Sequence, residues 1–116
     1  MDRDAFETSD GRPVTAVTAA EMAEVDRVAV DEFGLGLLQM MENAGRTLAR
    51  QVRAVAPEPP GESVLVLAGA GGNGGGGLCA ARHLRNHGVE VAAVLDRSPK
   101  RLSDAARTQF ETLDAM

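Results

Sequence analysis

Apolar residues recur at helical spacing in two segments of the first half of the chain. The first follows Thr18-Ala19-Ala20-Glu21, a capping-box sequence in which threonine and glutamate satisfy free N–H groups at a helix start, and it runs to Gly34. The second has about one apolar residue per turn over 37–52. Proline-rich APEPPGE, residues 56–62, then stops the helix. Two helices therefore precede any predicted strand.

The second half alternates between apolar, β-type runs and helical patterns. SVLVLAG, residues 63–69, and VEVAAVL, residues 89–95, are apolar without alternation, as is typical of parallel strands buried on both faces. A helix is predicted over 78–87, closed by Gly88 in the left-handed conformation. A last helix carries one apolar residue per turn: Leu102, Ala106, Phe110 and Leu113. The predicted order, ααβαβα, belongs to the α/β class.

Two strands joined by a crossover helix make one βαβ unit, and such a sheet is too narrow to bury both faces and both edges. Further strands after Met116, a second chain, or pairing of the domain with itself could complete it. The last predicted helix stops where a third strand would be due. We therefore expect further strands to follow.

Composition narrows the partners and the location. Residues 1–16 are predicted to be a polar leader and residues 17–116 a single domain. The net charge is −5 and there is no run of basic residues, so neither nucleic acid nor an anionic membrane is an expected partner. Cys79, the single cysteine, cannot form an internal disulfide, and the chain has no signal-like or membrane-spanning apolar run. We expect a cytoplasmic protein.

A glycine-rich stretch, GAGGNGGGG, follows the first predicted strand at residues 69–77. Glycines with positive φ would let backbone N–H groups approach an anion, and the next helix start adds partial positive charge. Gly69, Gly71 and Gly74 fit the dinucleotide pattern G-x-G-x-x-G, and Asp96 follows the next strand, near the usual ribose-binding acid. Glycine up to Gly77 would delay the helix. The stretch predicts a phosphate-bearing ligand, and a flexible turn without a ligand is the alternative.

Other polar residues allow both functional and structural interpretations. Cys79, His83 and His87 are four residues apart on one predicted helix face, but three ligands on one straight helix rarely converge on a metal ion, so packing and solvation are expected. Glu42 and Asn43 either line the pocket or have a solvated or capping role. The Asn73 carbonyl could ligate a hard cation or bind a ligand.

Three colinear stretches, TAAEMAEVDRVAVDEFGL, LLQMMENAGRTLA and VLVLAGAGGNGGGGLCAARHL, resemble the YjeF N-terminal domain family, whose enzymes are NAD(P)H-hydrate epimerases. The resemblance implies a Rossmann-like three-layer α/β/α fold with a mostly parallel sheet and N-terminal helices, of which only the first half is present. It also implies a homodimeric isomerase that interconverts the R and S epimers of hydrated NADH and NADPH. A functionally linked dehydratase then repairs the S epimer.

The resemblance also implies site residues. The family's loop reads Asn-Asn-Gly-Gly-Asp, contacts the hydrated nucleotide, and binds K⁺ through its second asparagine. It falls here on Gly72, Asn73, Gly74, Gly75 and Gly76, with Asn73 at the potassium position. Gly72 and Gly76 replace the family's first asparagine and its aspartate, so the loop lacks an amide and a carboxylate.

The family's catalytic aspartate and its second potassium-binding acid come from the later half of the domain. No counterpart precedes Met116, and Asp96 is not carried over, so we expect no catalytic residue in this chain. An NAD(P)H-hydrate epimerase, or its N-terminal portion, is the first hypothesis. The alternative is a non-catalytic YjeF-type module that binds a nucleotide or mediates dimerisation. Gly76 and the missing second half of the domain favour this alternative for the chain by itself. A conventional NAD-dependent dehydrogenase domain is a third hypothesis, and it ranks below the other two because this chain has no substrate-binding or catalytic segment.

Overall fold

The computed structural model describes residues 5–55 and 63–116, which divide into two compact units, one up to Gly36 and one over Leu37–Met116. The predicted connector at 56–62 and the first four residues of the predicted leader lie outside the described residues. No helix among the described residues is long and apolar enough to cross a membrane.

The first unit begins with a β-hairpin that the sequence analysis did not predict within the leader. Strand β1 (Ala5–Glu7) pairs antiparallel with strand β2 (Pro13–Thr15). In the turn, the Thr8 N–H donates to the Arg12 carbonyl at 2.9 Å, and Gly11 adopts a φ of 82°. Every residue of both strands is exposed, so the sequence has no apolar alternation that would predict them. The sequence feature that could have predicted the hairpin is its turn, with Thr8 and Gly11.

Helix α1 (Ala19–Asp31) confirms the predicted capping box. The Glu21 N–H donates to the Thr18 hydroxyl at 3.1 Å, and the Thr18 N–H donates to the Glu21 carboxylate at 3.0 Å. Gly34, with a φ of 69°, follows the helix end. The start and the end of this helix were thus both readable from the sequence.

The second unit contains the predicted helices and strands in the predicted order. It consists of α2 (Leu37–Val55), β3 (Ser63–Ala68), α3 (Gly72–Asn86), β4 (Glu90–Leu95), a 3₁₀ turn (Pro99–Arg101) and α4 (Asp104–Asp114). Strands β3 and β4 pair in parallel, in register from Ser63 opposite Glu90 to Ala68 opposite Leu95. The α/β class and the crossover helix are therefore confirmed, and Gly88 ends α3 with the expected positive φ of 82°.

The start of α3 corrects the sequence analysis. The helix begins at Gly72, not near residue 78, so Asn73 to Gly77 form its first turns instead of a loop. The positive-φ glycines of the described chain are Gly11, Gly34 and Gly88, so the glycine-rich stretch does not use left-handed backbone. Close packing is the reason for two of these glycines. A Cβ on Gly74 would overlap the Gly69 carbonyl, and one on Gly75 would lie 2.8 Å from Met41 Cε.

Helices α2 and α3 pack closely on one face of the sheet. A Cβ on Gly45 of α2 would lie 2.5 Å from the Cys79 Sγ of α3, so only glycine allows this approach. The core beside this contact contains Ala49, Ala80 and Leu84, with Val52, Val64, Val89 and Val91 against it. This packing fixes the position of α3, and with it the first turn that follows β3.

The prediction that both strands are buried on two faces is wrong for the described chain. Val64, Val66 and Ala68 are buried or half-buried, whereas the alternate positions of β3, Leu65 and Leu67, are 60% and 75% exposed. Both sets of alternate positions in β3 are apolar, so the sequence is suited to burial of both faces of the strand. Only one of them is packed by the described helices.

Candidate functional site

The glycine-rich turn lies at the carboxyl end of the sheet. The chain leaves β3 at Ala68 and enters α3 at Gly72, four residues later. The Asp96 N–H donates to the Ala68 carbonyl at 3.1 Å, and the Ser103 N–H donates to the Ala70 carbonyl at 2.9 Å. These bonds hold the turn against the segments that follow β4 and precede α4. In open parallel sheets this is the edge where ligands bind.

A cavity of about 380 Å³ opens at this edge, lined by Leu67, Ala68, Gly69, Val94, Leu95 and Asp96. Asp96 forms a bidentate ion pair with the neighbouring Arg97, with both nitrogen–oxygen distances at 2.8 Å. The hydrogen bond from Arg97 lowers the pKa of the Asp96 carboxyl. Asp96 is therefore an ionised, arginine-paired turn residue beside the cavity.

The first turn of α3 presents free backbone donors. Its first hydrogen bond runs from the Gly75 N–H to the Gly71 carbonyl at 2.9 Å, so the N–H groups of Gly72, Asn73 and Gly74 have no carbonyl one turn back. Gly71 at the N-cap has no side chain to satisfy them. These donors and the positive end of the helix dipole suit an anion such as a phosphate.

The five predicted binding residues differ in accessibility. Gly72 and Asn73 are exposed, Gly74 and Gly76 are half-buried, and Gly75 is buried against Met41. A Cβ on Gly72 or Gly76 would meet nothing within 4 Å. Backbone atoms therefore exclude a Cβ at Gly74, and Met41 and the Ala106 Cα crowd one at Gly75. Neither restriction applies at Gly72 or Gly76, the two positions where the family loop has an asparagine and an aspartate.

Asn73 is the only residue of this turn with a polar side chain. It is exposed, and its amide makes no hydrogen bond to another described residue. The amide oxygen is thus free to act as one ligand of a hard cation. Such a cation needs several oxygen ligands, and this turn supplies a single side-chain oxygen beside its N–H donors, so the other ligands must come from elsewhere.

Glu42 joins α2 to α3, a role that the sequence analysis did not predict. Its carboxylate lies 2.7 Å from His83 Nε2, and it accepts hydrogen bonds from the Arg82 guanidinium and, at 3.3 Å, from the Cys79 thiol. Arg82 is the main reason that the pKa of Glu42 is lowered to about 2. The i, i+3, i+4 spacing of Cys79, Arg82 and His83 was the available signal, because it puts them on one helix face.

The soft-metal triplet considered from the sequence does not form. His87 is exposed and its Nδ1 lies 2.8 Å from the His83 carbonyl oxygen, while Glu42 joins Cys79 and His83, with ligand atoms within 4.8 Å of one another. Arg82 places a permanent positive charge in this cluster, and burial raises the pKa of the Cys79 thiol to about 11. A metal needs a thiolate, so the cluster suits helix packing instead.

The fold and the turn define an α/β protein with a parallel sheet and free backbone N–H donors at the start of the helix that follows the first strand of that sheet. Comparison with protein families narrows this class: residues 37–116 match the family described as "YjeF-related protein N-terminus", and the chain belongs to it. A crystal structure of yeast ynu0 superposes with a TM-score of 0.76 at 28% identity, covering 88% of this chain and 44% of that one.

Two curated relatives carry enzyme names. The NAD(P)H-hydrate epimerase of Dehalogenimonas lykanthroporepellens is 50% identical over 111 residues, which are 94% of this chain and 44% of that protein. The bifunctional NAD(P)H-hydrate repair enzyme Nnr of Hyperthermus butylicus is 42% identical over 91% of this chain and 20% of that protein. The chain thus spans less than half the length of these relatives.

Proposed function

We propose that this chain is the N-terminal portion of an NAD(P)H-hydrate epimerase, an isomerase that interconverts the R and S epimers of hydrated NADH and NADPH. The observation that carries this proposal is the 50% identity to an enzyme of that name over nearly the whole chain. The relatives named as bifunctional repair enzymes support a functional link to the dehydratase step. A cytoplasmic location and a homodimer belong to the same proposal.

In this proposal the chain contributes nucleotide binding. The free N–H groups at the start of α3 bind a phosphate of the hydrated nucleotide, and the residues around them, Gly72, Asn73, Gly74, Gly75 and Gly76, form the binding turn. The Asn73 amide oxygen supplies one ligand to a potassium ion, which would offset negative charge at the site. We expect the catalytic residue to lie outside this chain, and the acid beside the turn, Asp96, is already paired with Arg97.

The same observations keep a non-catalytic nucleotide-binding or dimerisation module as the second candidate. Gly72 and Gly76 lack the amide and carboxylate that would orient a ligand, although a Cβ at either position would meet nothing within 4 Å. Both candidate functions use the same backbone N–H groups to bind a nucleotide, and they differ in whether the hydrated nucleotide is epimerised. Binding alone therefore does not distinguish them.

A chimera tests the proposal. The 116-residue chain replaces the matching region of the Dehalogenimonas epimerase, and epimerisation of separated R and S hydrates of NADH is followed by chromatography with and without K⁺. We expect turnover by the chimera and none by the chain alone. A folded chimera that binds NADH without epimerising it would favour the module, and turnover by the chain alone would disprove the absence of a catalytic residue.

A further inference from the structure

Positive charge is concentrated where the chain leaves β4. Residues 96–101, which we call the basic turn, contain the cations Arg97, Lys100 and Arg101 and one carboxylate, Asp96, although the whole chain has a net charge of −5. All six residues of the basic turn are exposed. This part of an acidic chain is therefore suited to contact a negatively charged ligand.

The Asp96 carboxylate is already neutralised within the basic turn. Its two oxygens accept hydrogen bonds from Nε and Nη2 of Arg97, both at 2.8 Å. The pKa of Asp96 is lowered chiefly by this contact, and the charge of Arg101 lowers it further. In dinucleotide-binding folds an acid near this position binds the ribose 2′-hydroxyl, and its charge would repel a phosphate on that oxygen. Arg97 offsets that charge here.

Lys100 and Arg101 add positive charge that no described acid neutralises. Neither side chain forms an ion pair or a hydrogen bond within the part of the chain that the structure describes. Guanidinium groups bind phosphate oxygens through paired N–H groups, and a lysine ammonium adds a point charge. The basic turn therefore retains donors for an anion after the pair of Asp96 and Arg97 has formed.

The backbone of the basic turn has a fixed geometry. The Arg101 N–H donates to the Ser98 carbonyl at 2.9 Å, closing the 3₁₀ turn that begins with Pro99. The Lys100 carbonyl accepts a hydrogen bond from the Arg107 guanidinium of α4 at 2.8 Å. The backbone that carries the cations is thus ordered before a ligand binds, which lowers the entropic cost of binding.

Backbone hydrogen bonds also hold the basic turn beside the start of α3. The Asp96 N–H donates to the Ala68 carbonyl at 3.1 Å, and just beyond the basic turn the Ser103 N–H donates to the Ala70 carbonyl at 2.9 Å. Gly69 and Asp96 line the same cavity of about 380 Å³. A nucleotide whose pyrophosphate binds the free N–H groups of α3 can therefore extend its adenosine ribose toward the basic turn.

From these observations we propose that Arg97, Lys100 and Arg101 bind the 2′-phosphate of hydrated NADPH, so that this chain selects the phosphorylated dinucleotide over hydrated NADH. Asp96 is then a positioning residue that holds the Arg97 guanidinium and does not bind the ribose. Hydrated NADH has a hydroxyl at this place and would leave the three cations without an anionic partner. This inference rests on the proposed function, because it names the form of the substrate that the same site prefers.

Direct binding tests this inference without requiring turnover. NADPH and NADH, which differ only in the 2′-phosphate, are each titrated into the 116-residue chain in a calorimeter. We expect NADPH to bind at least about tenfold more tightly, because hydrogen bonds between a phosphate and charged donors are worth a decade or more of affinity. The ratio of the two affinities should fall as the ionic strength rises.

The outcomes separate this inference from the proposed function. Equal affinities for NADPH and NADH would overturn the inference and leave nucleotide binding intact. A preference for NADPH together with a chimera that does not epimerise would support the inference and contradict the epimerase. Binding of neither nucleotide would contradict both.

A double substitution locates the contact. Lys100→Gln/Arg101→Gln removes two exposed cations and should weaken NADPH binding at least about tenfold, with NADH binding unchanged. Arg50→Gln/Arg53→Gln is the matched control, because these arginines of α2 are also exposed and their neighbour Val52 packs near the amino ends of both strands. Equal weakening of both nucleotides by the first variant, or equal effects of the two variants, would contradict the assigned contact.

Arg97→Gln tests the role of Asp96. The substitution removes the partner of the Asp96 carboxylate, which can then accept the ribose 2′-hydroxyl of NADH and repel the 2′-phosphate of NADPH. We expect the ratio of NADPH affinity to NADH affinity to fall by about tenfold or more. A merely structural ion pair would change both affinities together, and that result, like an unchanged ratio, would overturn the inference.

Discussion

The Glu42 carboxylate lies 2.7 Å from His83 Nε2 and so connects α2 to the helix that begins with the glycine-rich turn. The second oxygen of the same carboxylate pairs with Arg82, whose side chain is largely buried. Gly45, one turn along α2, provides the close approach that makes these bonds reachable. The position of the proposed binding turn is therefore set partly by polar contacts more than one helical turn away from it.

We predict that Glu42→Gln lowers the free energy of unfolding by about 1–3 kcal/mol, since it leaves the partly buried Arg82 without its counter-charge. Urea denaturation at pH 7 measures this loss. Glu24→Gln is the matched control, because Glu24 also pairs with an arginine but is exposed, and its loss should stay within about 0.5 kcal/mol. Equal losses for the two variants would contradict a structural role for Glu42.

The pH dependence of stability should report the same carboxylate. The pKa of Glu42 is lowered from 4.5 to about 2 in the folded chain, chiefly by Arg82. The stabilisation is therefore complete above the unfolded pKa and is lost as the pH falls through the folded value. We expect the difference in unfolding free energy between the wild type and Glu42→Gln to shrink between pH 5 and pH 2. A constant difference in urea titrations over this range would contradict the assignment.

Glycines in the two helices should respond oppositely to alanine. In Gly45→Ala the new methyl would meet Cys79 and lie 3.0 Å from the Ala80 nitrogen, a backbone atom, so we expect a loss of about 1–3 kcal/mol. Gly76→Ala points into open space and should gain about 0.5–1 kcal/mol from helix propensity. Thermal unfolding measures both changes. Stabilisation by Gly45→Ala would show that the helices separate without cost.

These contacts also explain which parts of the fold the sequence could predict. Helical spacing, the Thr18 capping box and Gly88 are local signals, and each led to a correct element. The predicted start of α3 was wrong because helix propensity argues against glycines inside a helix. A Cβ on Gly74 would overlap the Gly69 carbonyl, and one on Gly75 would crowd the Met41 side chain. The first restriction is visible only after the turn has folded, and the second only after α2 and α3 are packed together.

The candidate site likewise has one part that the sequence predicted and one part that it did not. The strand, glycine and helix order predicted a phosphate site at the carboxyl end of the sheet, and the structure puts free N–H groups at that edge. Glu42 was missed because its partners lie about forty residues further along the chain, at Arg82 and His83. The sequence showed these three residues but contained no local signal that α2 and α3 are neighbours.

Asn73→Ala tests the proposed potassium ligand. The variant keeps the backbone N–H groups of the turn, so we expect NADH binding to the chimera without K⁺ to be unchanged. The increase in affinity on adding K⁺ should fall by about tenfold or more, because the ion loses an oxygen ligand. Isothermal titration calorimetry in KCl and in tetramethylammonium chloride, at one ionic strength, separates the two effects. An unchanged response to K⁺ would argue against this role for Asn73.

Restoring the family loop tests whether the glycines at Gly72 and Gly76 limit activity. The variant Gly72→Asn/Gly76→Asp adds an amide and a carboxylate where a Cβ meets nothing within 4 Å, so we expect the chimera to fold with undiminished stability. If these side chains orient the hydrated nucleotide, the variant should raise kcat/KM for epimerisation by about tenfold, the worth of one or two additional charge-assisted hydrogen bonds. Gly72→Ala/Gly76→Ala is the matched control, since it adds helix propensity without polar groups. Equal rates for the two double variants would show that the glycine loop of this chain binds its ligand through the backbone alone.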